Sequence, residues 1–226
     1  MLRGYFYHEV IIMNGLWQSV MENVGFVLVC IALVVVLAVG ARLAEKKMPK
    51  LKKVSVARRV SIIGICSALA AVLHMMDFPL LFIAPEFYKL DFSELPVMLA
   101  GFYLGPSAAV TCEGIKIMLK LLLKGTSTAF VGDLANFVVG CSFVLPAAMW
   151  YGIKKGRAGA VVSLVLGTIC MTILGTAFNA VYLLPKFAQL YGVPMEVLIS
   201  MGAAVHSGVK GVVSFVVLCV APLNLV

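Results

Sequence analysis

The sequence predicts an all-α fold, a polytopic bundle of membrane-spanning helices. Three observations predict it. Of the 226 residues, 62% are hydrophobic and 12% are charged, whereas a soluble domain carries about 45–50% apolar and about 25% charged residues. The apolar residues fall in long runs without period-two alternation, so helices rather than a closed barrel are expected to satisfy the backbone in lipid. The basic residues are bunched: residues 42–59 and 154–157 hold 11 of the 18 Lys and Arg, as cytoplasmic loops do. The net charge of +8 then reads as membrane topology, and no basic strip with interleaved aromatics points to nucleic acid.

Taken in order, residues 1–19 are mixed and aromatic (Tyr5, Phe6, Tyr7, Trp17) and read as an interfacial segment. Val24 to Ala41 is an uncharged run of 18 residues, about the length that crosses a bilayer. Its basic residues follow it, from Arg42 to Arg59, which predicts a retained helix with its N-terminus outside rather than a signal peptide. A second span runs from Val60 to Phe82, interrupted by His74 and by Asp77, which reads as a helix end near the interface. In it, Gly64 and Ala68 stand four residues apart, a spacing that lets another helix approach closely.

The stretch EFYKLDFSELP (86–96) is a charged, aromatic loop between apolar runs, either an ordinary solvated connection or the lid of a site. Beyond it, Leu95 to Leu104 and Ser107 to Leu123 are two runs joined by a tight turn at Gly105-Pro106. Glu113 and Lys116 face a bundle interior, a partner or water, while Lys120 and Lys124 are expected to snorkel outward. Val131 to Ile153 is the next span, and Asp133 in its first turn reads as a helix cap. Ala158 to Leu184 follows, with Asn179 a lone amide near its outer end. Lys186 to Lys210 reads as a polar loop. Gly211 to Ala221 is too short to span before Pro222, and the sequence stops at Asn224-Leu225-Val226, which predicts a chain cut near the start of its last helix. Counting spans places the loops at 86–96, at 125–129 and after Pro185 on the outer side, where three loops above a bundle form a ligand pocket.

The motifs bound the chemistry. The chain contains no Walker motif, GxSxG, HExxH, GxGxxG or CxxC. The six Cys are scattered singly in apolar segments and read as small buried hydrophobes, with no metal site. No catalytic constellation is assigned, and the protein is read as not an enzyme.

The strings KLDFSELP, GFYLGPSAAVTCEGIKIMLKLLL, GDLANFVVGCSF, TAFNAVYLLP and MGAAV followed by VAPLNLV occur in order across most of residues 60–226. In combination they resemble the substrate-binding (S) component of energy-coupling factor (ECF) vitamin transporters, the riboflavin-specific group in particular. The resemblance implies a six-helix S-component core in residues 60–226. Residues 1–59 then form an extra N-terminal transmembrane helix and a basic cytoplasmic linker. It implies capture of riboflavin on the extracellular side of a bacterial plasma membrane, with riboflavin the transported ligand and no cofactor. A transmembrane scaffold subunit and two ATPase subunits are the implied partners.

Residue by residue, Asn179 matches the ligand-binding Asn of the family's fifth helix, and Asn224 the Asn of the Pro-x-Asn motif that opens the sixth. A ligand-binding Lys three residues beyond that Asn falls past the end of this sequence. The 86–96 loop contributes to the pocket and its closure, with Asp91 either touching ligand or bracing the loop. Gly64 and Ala68 match the small-residue motif that packs on the scaffold. A flat isoalloxazine and a polyhydroxyl chain call for apolar walls and a few amides or charges. Tyr88, Phe92, Phe178 and Tyr182 are candidate walls, each equally readable as ordinary packing. The competing readings are an S component for another vitamin or a metal ion, an intramembrane enzyme, and an assembly protein. A metal-specific S component would call for clustered His near the N-terminus, where His8 stands alone.

Overall fold

Helix α1 (Val24–Lys47) lies alongside the bundle, and α2 (Val56–Met75) begins the core. The computed structural model describes residues 24–47, 54–86, 88–126 and 130–225. The expected interfacial segment at 1–19, with His8, lies outside the described residues, as do residues 48–53 of the basic linker; the linker's two ends are not loop but the last turns of α1 and the first turn of α2. The side chain of Ser55 caps α2 by accepting the Arg58 N–H at 3.5 Å. After α2 the chain makes a two-residue antiparallel ladder between β1 (Phe78–Pro79) and β2 (Lys89–Leu90), with Phe78 opposite Leu90. A ladder this short holds the two ends of the external loop together without building a sheet.

Helices α3 (Glu94–Leu104) and α4 (Pro106–Lys124) fold back on one another through Gly105. Gly105 sits at φ +98°, where a side chain would clash, and Pro106 opens α4 where no N–H is needed. The contact is close: a Cβ on Gly101 would lie 3.0 Å from the Ala109 Cβ and 3.2 Å from the Ala148 Cβ. Ala148 belongs to α5 (Val131–Ile153), whose bounds are those the sequence predicts. Small residues thus interlock α3, α4 and α5 at their inner ends, the way helices gain packing energy in lipid. Helix α1 packs its Leu37, Ala38 and Ala41 onto Val110, Ile117, Phe137 and Cys141 of α4 and α5. At the inner rim its Glu45 accepts the Ser107 N–H at 3.3 Å and pairs with Arg59 at 3.7 Å.

Two expectations are corrected beyond α5. Helix α6 (Arg157–Phe178) does not end near Leu184; it passes through a π-turn (Asn179–Leu183) into α7 (Leu184–Tyr191). The region expected as a polar loop instead holds α7 and α8 (Met195–Val205), separated by Gly192 at φ +63°. The final segment also runs past its proline: α9 (Val212–Phe215), a π-turn (Val216–Val220) and α10 (Ala221–Leu225) form one continuous helix. The physical reason is shared. A proline inside a helix lacks an N–H and crowds the carbonyl four residues back. A π-turn just before Pro185 and before Pro222 re-spaces those carbonyls and lets the helix continue. Helices α2, α5 and the α6–α7 helix are each long and apolar enough to cross a membrane.

Gly64 and Ala68 lie on an exposed face of α2, and no described atom comes within 4 Å of where a Gly64 Cβ would stand. Among the described residues that face is open. Cys112, Cys141 and Cys219 are buried and unbridged, and Cys66 and Cys170 are half-buried and unbridged. Among the described residues no group of His, Cys, Asp and Glu has the arrangement of a metal site.

Candidate functional site

Where the inner ends of the helices touch, their outer ends part around a cavity of about 250 Å³. It is lined from α2, the external loop, α3, α4, α5, α6 and the last helix. Pockets for small ligands start at about this size, roughly 300 Å³.

The π-turn at Asn179 sets one wall. Asn179 is buried, and its Nδ2 donates to the Gly175 carbonyl at 2.9 Å. Its Oδ1 accepts the Tyr88 hydroxyl at 2.7 Å, which ties the external loop to α6. Asn224 arrives at the same place from the last helix: a Cβ on Gly175 would lie 2.8 Å from the Asn224 Nδ2. Two carboxamides from two helices therefore converge on one glycine. The Asn224 Nδ2 is buried without a hydrogen-bond partner among the described residues, and a buried unpaired donor is costly unless a ligand or solvent meets it. Asn179 and Asn224 both line the cavity, as does Tyr88. Burial pushes the Tyr88 phenol up, which keeps its hydroxyl a donor.

The external loop is fastened on three sides. Asp91 Oδ2 accepts a hydrogen bond from His74 Nδ1 of α2 at 2.8 Å, and its Oδ1 accepts the Ser93 N–H at 2.7 Å. Burial raises the Asp91 pKa, but these two hydrogen bonds and the charge of Lys116 outweigh it and hold the carboxyl at about 2. On its far side the His74 ring approaches the Asn136 amide at 3.4 Å through Nε2. Asp77 is paired with Lys89 at 3.3 Å and Lys124 at 3.2 Å; burial raises its carboxyl, and the two ammonium groups bring it below the ordinary range. His206 holds the loop from the other end, with Nε2 3.0 Å from the Ile83 carbonyl.

Two readings of single residues change. Lys120 does not snorkel outward; it turns inward and binds Asp133 Oδ1 at 2.6 Å. Asp133 stands in the first turn of α5, where a carboxylate suits the helix dipole, and its other oxygen accepts the Thr126 hydroxyl at 2.8 Å. Lys124 reaches across to Asp77 rather than to lipid headgroups. Of the predicted walls, Phe92 is 55% exposed and packs on Phe78 at 6.1 Å, outside the cavity. Its neighbour Asp91 turns inward to His74, while Phe92 stands at the bend that leads into α3 and is left on the outside. Tyr182 stacks on Phe178 at 5.3 Å and neither lines the cavity. Asp91, Tyr88, Asn179 and Asn224 are brought together; Phe92 and Tyr182 are not.

Cavity residues that sequence reasoning passed over include His74, Glu94, Lys120 and Asn136. For Lys120 a signal was available. Glu113, Lys116, Lys120 and Lys124 recur at three- and four-residue steps, a polar stripe down one face of a helix that is otherwise apolar.

Residues 58–226 match the family model described as ECF transporter, substrate-specific component. The chain belongs to this family. This S component is 33% identical over 167 residues to the riboflavin transporter FmnP of Bacillus subtilis (strain 168), covering 71% of the chain and 87% of the relative. It is 33% identical over 165 residues to the riboflavin transporter RibU of Staphylococcus aureus (strain TCH60), covering 71% and 86%. A solved S component of a bacterial ECF transporter superposes with a TM-score of 0.57 at 31% identity, over 76% of this chain and 86% of that one. Helix α1 precedes the residues that the family model matches.

Proposed function

We propose that this S component captures riboflavin at the outer face of a bacterial cell membrane and delivers it through a scaffold subunit and two ATPase subunits. The observation that carries the reading is the pair of carboxamides, Asn179 and Asn224, converging on Gly175 at the wall of the outer cavity, with the Asn224 donor unpartnered. A carboxamide offers donor and acceptor side by side, which fits the pyrimidine edge of an isoalloxazine or neighbouring ribityl hydroxyls. Relatives named as riboflavin transporters support the same ligand. The chain has no nucleotide-binding motif of its own, so energy comes from partner ATPases. The exposed α2 face with Gly64 and Ala68 is the surface we assign to the scaffold. The protein binds its ligand and does not transform it.

Binding closes the cavity by tightening contacts already present. Tyr88 and Asp91 attach the external loop to Asn179 and His74, so ligand on the amides is sensed directly by the loop. Titration of the purified full chain with riboflavin, followed by quenching of flavin fluorescence, tests this. Tight binding is expected in the wild type, with a loss of about tenfold or more in Asn224→Ala and Asn179→Ala, the size of one or two buried hydrogen bonds. Wild-type protein that is colourless and gives no quenching overturns the reading.

A further inference from the structure

We propose that Lys116 and Glu113, buried beside the cavity, are positioning residues that hold the Glu94 carboxylate so that one of its oxygens receives a ligand hydroxyl. The proposal rests on the riboflavin reading and adds a residue to it. Glu94 opens α3 at the end of the external loop and lines the cavity. One oxygen, Oε1, is 2.8 Å from Lys116 Nζ. The other, Oε2, is buried and has no hydrogen-bond partner among the described residues. An ionised carboxylate only accepts. A polyhydroxyl chain presents several O–H donors, so it is the part of the ligand this oxygen fits.

Lys116 does not reach the ligand itself. It is 1% exposed, and Nζ meets Glu113 Oε1 at 2.5 Å, Glu94 Oε1 at 2.8 Å and Ser93 Oγ at 3.0 Å. Two of its hydrogens go to Glu94 Oε1 and Ser93 Oγ, the Glu113 carboxyl pairs with its charge, and the lysine does not line the cavity. Its influence therefore passes through Ser93 and Glu94, the two residues at which the loop becomes α3. Glu113 is wholly buried three residues before Lys116 on α4 and does not line the cavity; it fixes the lysine from behind. Helix α5 makes room with Gly140, where a Cβ would stand 2.6 Å from Glu113 Oε1 and 2.7 Å from Glu94 Oε1.

A cluster of two carboxylates and one ammonium is a poor way to stabilise a bundle. Burying charge is costly, and well-packed apolar residues of the same volume usually hold as well or better. What the cluster gives is a fixed direction for Glu94, the member that reaches the cavity.

The test compares riboflavin with lumiflavin, which keeps the ring and lacks the hydroxyl chain, on the purified full chain. Glu94→Gln and Glu113→Gln are each expected to weaken riboflavin about tenfold, as for loss of one charge-assisted hydrogen bond, and to leave lumiflavin unchanged. The double variant is expected to be no weaker than Glu94→Gln alone, because both changes act on one contact. Ser93→Ala, a smaller change for use if Glu113→Gln does not fold, is expected to cost riboflavin about threefold and lumiflavin nothing. Equal losses for the two flavins, or losses that multiply in the double variant, overturn the proposal and reduce the cluster to packing. Wild-type protein that binds neither flavin instead overturns the riboflavin reading itself.

Discussion

The inner and outer halves of α3, α4 and α5 are built from the same helices by opposite means. At the inner end Gly101, Ala109 and Ala148 bring the backbones together until no further carbon fits. At the outer end the same helices carry Glu94, Lys116, Lys120, Asp133 and Asn136, and they part around a cavity. The inner half is held by dispersion, which needs contact everywhere. In the outer half the same three helices meet through directed polar contacts around the cavity, while the outer turns of α5 pack Val131, Leu134 and Ala135 against the loop, the α6–α7 rod and the last helix.

The contrast is broken most severely from the inner side. Gly101→Leu forces a side chain into the Ala109 and Ala148 contact, an overpacking of about 1–3 kcal/mol or more. The expected result is a sharply lower melting temperature in detergent, or no folded protein. A variant as stable as wild type would show that the inner half is looser than its geometry indicates.

At the mouth the expected effect is smaller and falls on binding rather than stability. Asp91→Asn weakens its hydrogen bonds to His74 and Ser93 and should raise the riboflavin dissociation constant about tenfold, about 1.4 kcal/mol, with little change in melting temperature. The same residue sets a pH window. Its folded pKa of about 2 lies below the ordinary value near 3.9. A depressed carboxyl contributes stability that is fully present above the ordinary value and is lost as pH falls through the folded one. The loop should therefore loosen between about pH 4 and pH 2, seen as a rise in amide exchange over residues 76–93. Asp91→Asn should lack that step; an unchanged step in the variant would assign it to another group.

The smallest effect is expected at the inner rim. Glu45→Gln removes an ion pair to Arg59 that is 3.7 Å long, with Arg59 39% exposed. Solvent screens such a pair to about 0–1 kcal/mol. A melting temperature within a degree or two of wild type is expected. A large drop would mean that α1 is clamped to the core by its rim rather than by the packing of Leu37, Ala38 and Ala41.

Much of this was legible from the residues. The bounds of α5 and the turn at Gly105-Pro106 follow from hydropathy and turn chemistry, because those signals are local. The two amides were reached through likeness to a family, since nothing local separates Asn179 from an ordinary interhelical amide. The pairs Lys120 with Asp133 and Lys124 with Asp77 were not legible: they join residues 13 and 47 positions apart, and each alone looks like a cap or a snorkelling side chain. The helices across Lys186 to Lys210 were misread because Pro185 and Gly192 look like stops, and nothing in the sequence announces a π-turn.

Those π-turns have a consequence for how the helices are numbered around their axes. A π-turn adds one residue to a turn of 3.6, so everything beyond it is rotated by about 100° relative to an unbroken helix. The α6–α7 rod and the last helix thus each have two phases, and one helical wheel drawn through either mixes them. Angular bearing at the outer end is set by the length of the chain between turns. For these two rods, the direction in which an amide points is a matter of residue count as much as of residue type.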